Sequence, residues 1–391
     1  RNENMTANPS PTSDDLSVFR QAPFSEAVAK LEELMTQNGK AFLLGAGCSK
    51  CAGLPLTSEL TDRVLQHAKL DQVTKGILDR LKARFDGAED AHIEDYLSEL
   101  IDFLAIAERR STRGARNKVV DLNGQTYTAE QLRNATEQIK RGIAFVIDQK
   151  VSIGIHQRFI KAIHRPLRPG TTTHIPPADY LVLNYDTLIE DALALEKVVF
   201  ADGLDGGATG WWDQETFKRD GLAARVLKLH GSINWCEFPD DPLPRRIAEN
   251  LSMPSEEDRR ILIWPASTKY LETQKDPYAQ LWDLARNILR PGSGSQKVLV
   301  ACGYRFSDSH INLEIERALR ESKERLTLVV FWFGEQPSGQ LKSWHEDASI
   351  REQVLVFARR GFFHAGKAET ATVDLPWWKF ENVTRLLEGE R

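Results

Sequence analysis

The order of apolar and polar positions along the chain predicts its architecture. Short, nearly continuous apolar runs lie at 41–44, 180–184, 225–229, 261–264, 297–302, 326–333 and 353–358. Runs of this length without polar alternation are typical of strands buried on both faces of a sheet. Between several of them the apolar spacing changes to three and four residues, which indicates helices. The pattern therefore predicts an α/β fold with a doubly wound, mostly parallel sheet.

Helical periodicity also predicts how the chain is organised. Helices are expected over 24–37 and 58–70. Further helical segments fill 67–177, which is too long for one crossover and is interpreted as a helical insertion. Residues 1–22 contain few apolar side chains and are expected to be disordered. The predicted organisation is a disordered tail (1–22), the first part of the sheet domain (23–66), the insertion (67–177), and the rest of the sheet domain with a C-terminal segment (178–391).

Composition and charge exclude several classes of protein. The chain has 391 residues, a formal net charge of −5 and 41% hydrophobic residues, which is globular material and argues against nucleic-acid binding as its main role. The basic residues of 109–118 are interpreted as a solvated loop. Four cysteines without disulfide-like spacing suit a reducing compartment. Since no apolar run is long enough for a membrane span, a cytoplasmic protein without membrane or direct nucleic-acid binding is expected.

A glycine-rich turn follows the first apolar run, in the sequence AFLLGAGCSKCAGLP of residues 41–55. Gly45 and Gly47 can adopt a positive φ and have no Cβ, so their backbone N–H groups can approach a phosphate. The spacing departs from G-x-G-x-x-G, because Cys51 stands where the third glycine would be. The turn predicts dinucleotide binding; the alternative is a glycine turn that binds no ligand.

Polar residues follow three other apolar runs at the ends where strands are expected to stop. They are Asn184 and Asp186, then His230 and Ser232, then Gly303 and Asp308. In an open α/β sheet, ligands bind outside the carboxyl ends of the strands. Taken singly, these residues have simpler explanations. Asn184, Asp186 and Ser232 can be helix-cap or turn residues, and His230 can be a buried core histidine. Their common position favours one binding site.

These motifs resemble those of the sirtuin-like proteins, which bind NAD on a Rossmann-type domain. The matching residues, in the family's order, are Gly45-Ala46-Gly47 with Ser49, Gly53-Leu54-Pro55, Asn184-Tyr185-Asp186, Leu229-His230-Gly231-Ser232, and Gly303-Tyr304 with Ser307 and Asp308. The deacetylases' four-cysteine zinc module has no counterpart, since Cys48 and Cys51 lie inside the turn and the other two cysteines are far apart. No metal is therefore expected. The chain resembles the divergent bacterial branch that hydrolyses NAD in antiphage defence.

The resemblance implies roles for single residues, with NAD as the substrate. Asp186 would orient the nicotinamide, Asn184 would hold the ribose or the water, and His230 would be the general base, because imidazole gains a proton near neutral pH. The residues implied in binding NAD are Gly45, Ala46, Gly47, Ser49, Pro55, Gly231, Ser232, Gly303, Tyr304 and Asp308. Of these, Gly303, Tyr304 and Asp308 would contact the adenosine end. Five residues of the insertion can also reach the pocket, although solvated helical faces or core histidines explain them as well: Glu94, Asp95, Glu99, His156 and His164.

The resemblance also implies assembly, as a homo-oligomer with a HerA-type hexameric ATPase as partner. Two alternatives stay open: a non-catalytic subunit that senses NAD or ADP-ribose, and an NAD-dependent protein deacylase. A third, metal-dependent DNA cleavage, would need a cluster of carboxylate ligands, and only the pair Asp186 and Asp308 offers a start for one.

Overall fold

The computed structural model describes residues 14–88, 91–164, 176–238, 241–247, 260–263, 276–292 and 294–390. Residues 1–13 of the predicted tail lie outside this part of the chain. Residues 14–22, also predicted to be disordered, are instead ordered. They contain a 3-10 turn, Ser17–Arg20, and the ring of Phe19 is buried against Trp377 with 4.8 Å between ring centroids. The few apolar side chains of this segment are enough to order it, because they pack against a core that the rest of the chain forms.

A nine-stranded sheet forms the centre of the molecule, in the order β16-β15-β14-β13-β12-β1-β4-β8-β5. Its strands are β1 (Gly39–Leu44), β4 (Ala178–Val182), β5 (Phe200–Ala201), β8 (Ala224–Lys228), β12 (Lys297–Cys302), β13 (Leu326–Trp332), β14 (Val354–Ala358), β15 (Gly361–His364) and β16 (Lys367–Thr370). All neighbours from β14 to β5 run parallel, and β15 and β16 add an antiparallel edge. The α/β fold with a doubly wound, mostly parallel sheet is thus confirmed.

Both faces of this sheet are covered, as its apolar strands predict. Ala41 and Leu43 of β1 pack into one hydrophobic core, whereas Phe42 and Leu44 pack into the other. The first core contains residues of α8 (Tyr278–Leu289), α9 (Ser309–Ser322) and α10 (Gly339–Glu346). The second contains residues of α1 (Phe24–Met35), α6 (Gly154–His164), α7 (Leu188–Leu195) and α11 (Phe380–Leu387).

The helical insertion forms a third hydrophobic core. It contains α2 (Thr57–Leu65), α3 (Gln72–Arg84), α4 (Ile93–Thr112) and α5 (Ala129–Ile147), with a hairpin of β2 (Val120–Leu122) and β3 (Gln125–Tyr127). Helix α2 packs with α4 and α5, while α6 packs on the sheet, so the packed unit is shifted towards the N-terminus relative to 67–177. Among the described residues, no helix combines the length and apolar character needed to span a membrane.

A second, five-stranded sheet was not predicted. Its order is β11-β9-β10-β7-β6, with β6 (Leu204–Asp205), β7 (Trp211–Trp212), β9 (Gly231–Phe238), β10 (Asp241–Arg246) and β11 (Arg260–Ile263). The prediction that the apolar run 261–264 joins the parallel sheet is wrong within the described residues, because β11 pairs antiparallel with β9. Apolar runs report burial and do not identify the neighbouring strand.

Successive strands extend the main sheet in opposite directions on the two sides of the β1–β12 pair. From β1 the connections lead through β4 to β8 on one side, and from β12 through β13 to β14 on the other. Such a switch point opens a crevice at the carboxyl ends of the two central strands. Gly45 follows β1 and Gly303 follows β12 at this place.

Candidate functional site

Gly45 and Gly47 bring the turn after β1 into close contact with the turn after β12. Their amides donate hydrogen bonds to the carbonyl oxygens of Cys302 and Gly303, each at 3.0 Å. A Cβ on Gly45 would lie 2.5 Å from the Gly303 oxygen, and one on Gly303 would lie 2.5 Å from the Cys48 nitrogen. Glycine is required here because the two backbones touch.

The expectation that Gly45 and Gly47 adopt a positive φ is wrong. Gly45 has φ −108°, Gly47 is not among the glycines with positive φ, and it is Gly303 that adopts φ +64°. Since the amides of Gly45 and Gly47 bond to the neighbouring turn, they do not face an anion in this conformation. Of the two other residues expected here, Ala46 begins a 3-10 turn, Ala46–Cys48, and Pro55 is buried just before α2.

Ser49, Asn184 and Asp186 form a hydrogen-bonded network beside this turn. The Ser49 hydroxyl donates to Asp186 Oδ2 at 2.6 Å, and Asn184 Nδ2 donates to Ser49 Oγ at 2.6 Å and to the Gly45 oxygen at 3.0 Å. Asp186 Oδ1 accepts the amide of Leu188 at 3.1 Å, at the start of α7. We call Gly45, Ser49, Asn184 and Asp186 the glycine-turn cluster. It joins the ends of two adjacent strands, β1 and β4.

His230 lies against Asp308, although their strands are separated in the sheet. The distance between His230 Nε2 and Asp308 Oδ2 is 3.6 Å, and both residues are buried. Strands β8 and β12 have β1 and β4 between them, so the segment after β12 crosses the sheet edge to reach His230. Asp308 Oδ1 also accepts the amides of His310 and Ile311 and caps α9. A carboxylate in this position can stabilise a protonated imidazole.

Tyr304 directs its hydroxyl into the protein. The oxygen lies 3.2 Å from the Asp308 carbonyl oxygen and 3.2 Å from Asn312 Oδ1, and Asn312 Nδ2 donates to the Phe306 oxygen at 2.7 Å. Burial raises the pKa of the Tyr304 hydroxyl. We call His230, Tyr304, Asp308 and Asn312 the histidine cluster.

Ser232 and Gly231 connect the site to the second sheet. Gly231 opens β9 with φ +82°, and the fully buried Ser232 hydroxyl donates to the Tyr185 carbonyl oxygen at 3.3 Å. The Tyr185 hydroxyl donates to Glu94 Oε1 at 2.7 Å. Glu94 lies in the first turn of α4 of the insertion, so this candidate does reach the residues that follow β4.

Of the two histidines considered on α6, His156 lies near the site. Its ring is buried, burial lowers its pKa to about 4, and the charge of Asp186 opposes that shift. His164 instead shares a hydrogen bond with the Tyr180 hydroxyl at 2.9 Å, which holds α6 against β4.

Sequence reasoning missed a buried ion pair under the glycine-turn cluster. The Lys228 side chain is fully buried and its ammonium donates to the carbonyl oxygen of Asp186; Glu190 Oε1 lies 3.5 Å from Lys228 Nζ. Burial raises the pKa of Glu190 to about 7. The available signal was a lysine inside the apolar run VLKLH, since an unpaired lysine is seldom buried.

The described part of the chain shows no group of three or more His, Cys, Asp or Glu side chains placed to hold a metal ion. All four cysteines are free thiols. Cys48 Sγ donates to the Cys302 carbonyl oxygen at 3.2 Å, and Cys51 Sγ donates to the Cys48 carbonyl oxygen at 3.3 Å. The Cys48 thiol thus joins the two glycine turns, whereas the Cys51 thiol bonds within the first turn.

Comparison with known families finds a similarity over the segment that carries most of this site. The model of a family described as the SIR2-like domain matches residues 180–352. Residues 180–352 are thus similar to a SIR2-like domain. The matched segment includes Asn184, Asp186, His230 and Asp308, and the glycine turn precedes it. No curated protein matches the chain.

Solved structures similar to the chain include two complexes of a Sir2 homologue with ADP-ribose. One contains a phenylalanine-to-alanine mutant, with 11% identity, a TM-score of 0.41, and coverage of 92% of this chain and 96% of that one. The other contains a serine-to-alanine mutant, with 10% identity, a TM-score of 0.38 and the same coverage.

Proposed function

We propose that this protein hydrolyses NAD to nicotinamide and ADP-ribose and acts in antiphage defence by depleting NAD. One observation carries the proposal: two buried polar clusters lie at the carboxyl edge of the parallel sheet, inside or beside a SIR2-like domain. One contains an amide, a hydroxyl and a carboxylate in a chain of hydrogen bonds, and the other a histidine backed by a carboxylate.

These groups fit the cleavage of an N-glycosidic bond. As the bond between nicotinamide and ribose breaks, its electron pair stays on the nicotinamide nitrogen and the ribose carbon becomes oxocarbenium-like. Water adds to that carbon, and His230 accepts the proton that water loses. Asp308 stabilises the imidazolium. Asn184 holds the ribose or the water and Asp186 orients the carboxamide, so both act by positioning.

The carboxylate beside His230 favours catalysis over sensing of NAD, because a binding module needs no stabilised base. An enzyme that consumes the cell's NAD also needs restraint. We therefore propose that it works in the cytoplasm as a homo-oligomer with a HerA-type ATPase as partner. Light scattering of the purified chain, alone and mixed with such an ATPase, tests this assembly, and two independent monomers would contradict it.

The decisive experiment measures nicotinamide release from NAD by the wild type, His230→Ala and Asn184→Ala. Loss of a general base or a positioning group is expected to reduce release by about 100-fold or more, with circular dichroism unchanged. The matched control is His345→Ala, which removes a buried histidine of α10 outside both clusters and should retain release.

Each other result identifies a different function. Unchanged release by folded His230→Ala contradicts the mechanism. ADP-ribose binding without release, with and without the partner, indicates a sensor. NAD consumption only in the presence of an acyl-lysine peptide indicates a deacylase.

A further inference from the structure

Lys228 is the last residue of β8, and its ammonium is completely enclosed by protein. Charged groups are kept in such a place only when they are paired and hydrogen-bonded. The counter-ion is Glu190 of α7, at 3.5 Å. Its second oxygen, Oε2, is also buried and has no hydrogen-bond partner among the described residues. The pair is therefore incompletely satisfied, which is unusual for a purely stabilising contact.

The hydrogen bond of Lys228 goes to the residue whose side chain belongs to the glycine-turn cluster. The ammonium contacts the Asp186 carbonyl oxygen, while the Asp186 carboxylate accepts bonds from Ser49 and from the amide of Leu188. With the carbonyl and the carboxylate both held, the Asp186 backbone and side chain have one orientation left. Ser49 in turn meets Asn184.

We propose that Lys228 is a positioning residue: its buried ammonium holds the Asp186 peptide so that the Asp186 carboxylate is aimed for the nicotinamide end of NAD. This inference rests on the proposed function. It adds a residue that makes no contact with the ligand and acts through Asp186 alone.

A second ion pair on the same strand provides a matched control. Arg225 Nε donates to Asp179 Oδ1 at 2.7 Å, and Asp179 is as deeply buried as the site residues. This pair joins β8 to β4 near their amino ends. It therefore tests the effect of losing a partly buried cation from β8, at the end of the strand opposite the carboxyl edge.

The experiment compares the wild type with Lys228→Met, Lys228→Met/Glu190→Gln and Arg225→Met. Readouts are kcat and KM for NAD, thermal unfolding, and the dissociation constants of ADP-ribose and carba-NAD, which resists cleavage because a methylene replaces the ring oxygen of its nicotinamide ribose. Misplacing a positioning group by about 1 Å can reduce kcat by about 100-fold. We expect that loss in Lys228→Met, with the ADP-ribose dissociation constant within about threefold of wild type.

The double variant separates positioning from stability. Replacing both charges by neutral groups of similar shape should restore the unfolding midpoint, since neutral replacements of buried ion pairs are often tolerated, but kcat should stay low. Arg225→Met should unfold earlier and retain kcat. A double variant with wild-type kcat would overturn the inference, because only charge balance would then have mattered.

Affinities keep the inference separate from the proposed function. If the wild type releases no nicotinamide, hydrolysis is refuted, but the affinity for carba-NAD relative to ADP-ribose still reports the nicotinamide end. A lower ratio in Lys228→Met supports positioning by Lys228, and an unchanged ratio refutes it.

Discussion

The two clusters at the sheet edge are built in different ways. The glycine-turn cluster joins adjacent strands, and its side chains contact each other at 2.6 Å. The Lys228 ammonium donates to the Asp186 carbonyl oxygen of this cluster. The histidine cluster joins β8 to the segment after β12, across two intervening strands, through a contact of 3.6 Å between His230 and Asp308. Strand pairing thus determines the first cluster, whereas the conformation of residues 303–308 determines the second.

Gly303 is the point at which both clusters can be broken together. Gly303→Ala would place a Cβ 2.5 Å from the Cys48 nitrogen at φ +64°. We expect a loss of about 2–4 kcal/mol of unfolding free energy from backbone strain plus the clash, and loss of nicotinamide release. Urea unfolding and the release assay measure the two effects.

The control for this prediction is Gly53→Ala, in the turn after β1. Gly53 also has a positive φ, +96°, but its Cβ would meet nothing within 4 Å. This variant should lose only about 1 kcal/mol, from the φ strain alone. Equal losses in the two variants would show that the contact between the turns contributes nothing.

Asp308→Asn should disable the histidine cluster and leave the other intact. Asparagine caps a helix about as well as aspartate, so α9 should keep its start and the unfolding free energy should change by less than about 1 kcal/mol. The charge beside His230 is lost, so nicotinamide release should fall by about 10- to 100-fold. Full activity of Asp308→Asn would show that the carboxylate serves only as a helix cap.

ADP-ribose affinity sharpens this test. It should stay at the wild-type value in Asp308→Asn, because the hydrogen bonds that join Ser49, Asn184 and Asp186 to one another and to Gly45 do not involve that carboxylate. A large loss of affinity would instead place Asp308 at the adenosine end of the ligand, as the sequence resemblance implies.

The sequence predicts the parts of this site that depend on local pattern. Apolar runs located β1, β4, β8 and β12, and the residues after them indicated the edge at which Asn184, Asp186 and His230 lie. It did not predict that Asp308 meets His230, because periodicity carries no information on where a loop crosses a sheet. Gly45 and Gly47 were singled out for a positive φ, but they are needed because two turns are in close contact. Such a contact depends on the tertiary structure and cannot be predicted from local sequence. Lys228 was overlooked because an apolar strand pattern does not predict which residues a single lysine within it will contact.

Tyr304 gives the smallest expected effect and tests the histidine cluster from inside. The resemblance places this residue at the adenosine end, whereas its hydroxyl lies 3.2 Å from both the Asp308 carbonyl oxygen and Asn312 Oδ1. Tyr304→Phe should therefore cost about 1 kcal/mol of unfolding free energy, the usual value of one buried hydrogen bond. ADP-ribose affinity should remain within about twofold of wild type. If calorimetry instead shows a tenfold weaker ADP-ribose complex with unchanged stability, the hydroxyl turns outward to bind the ligand, and the segment 303–308 rearranges on binding while the glycine-turn cluster need not.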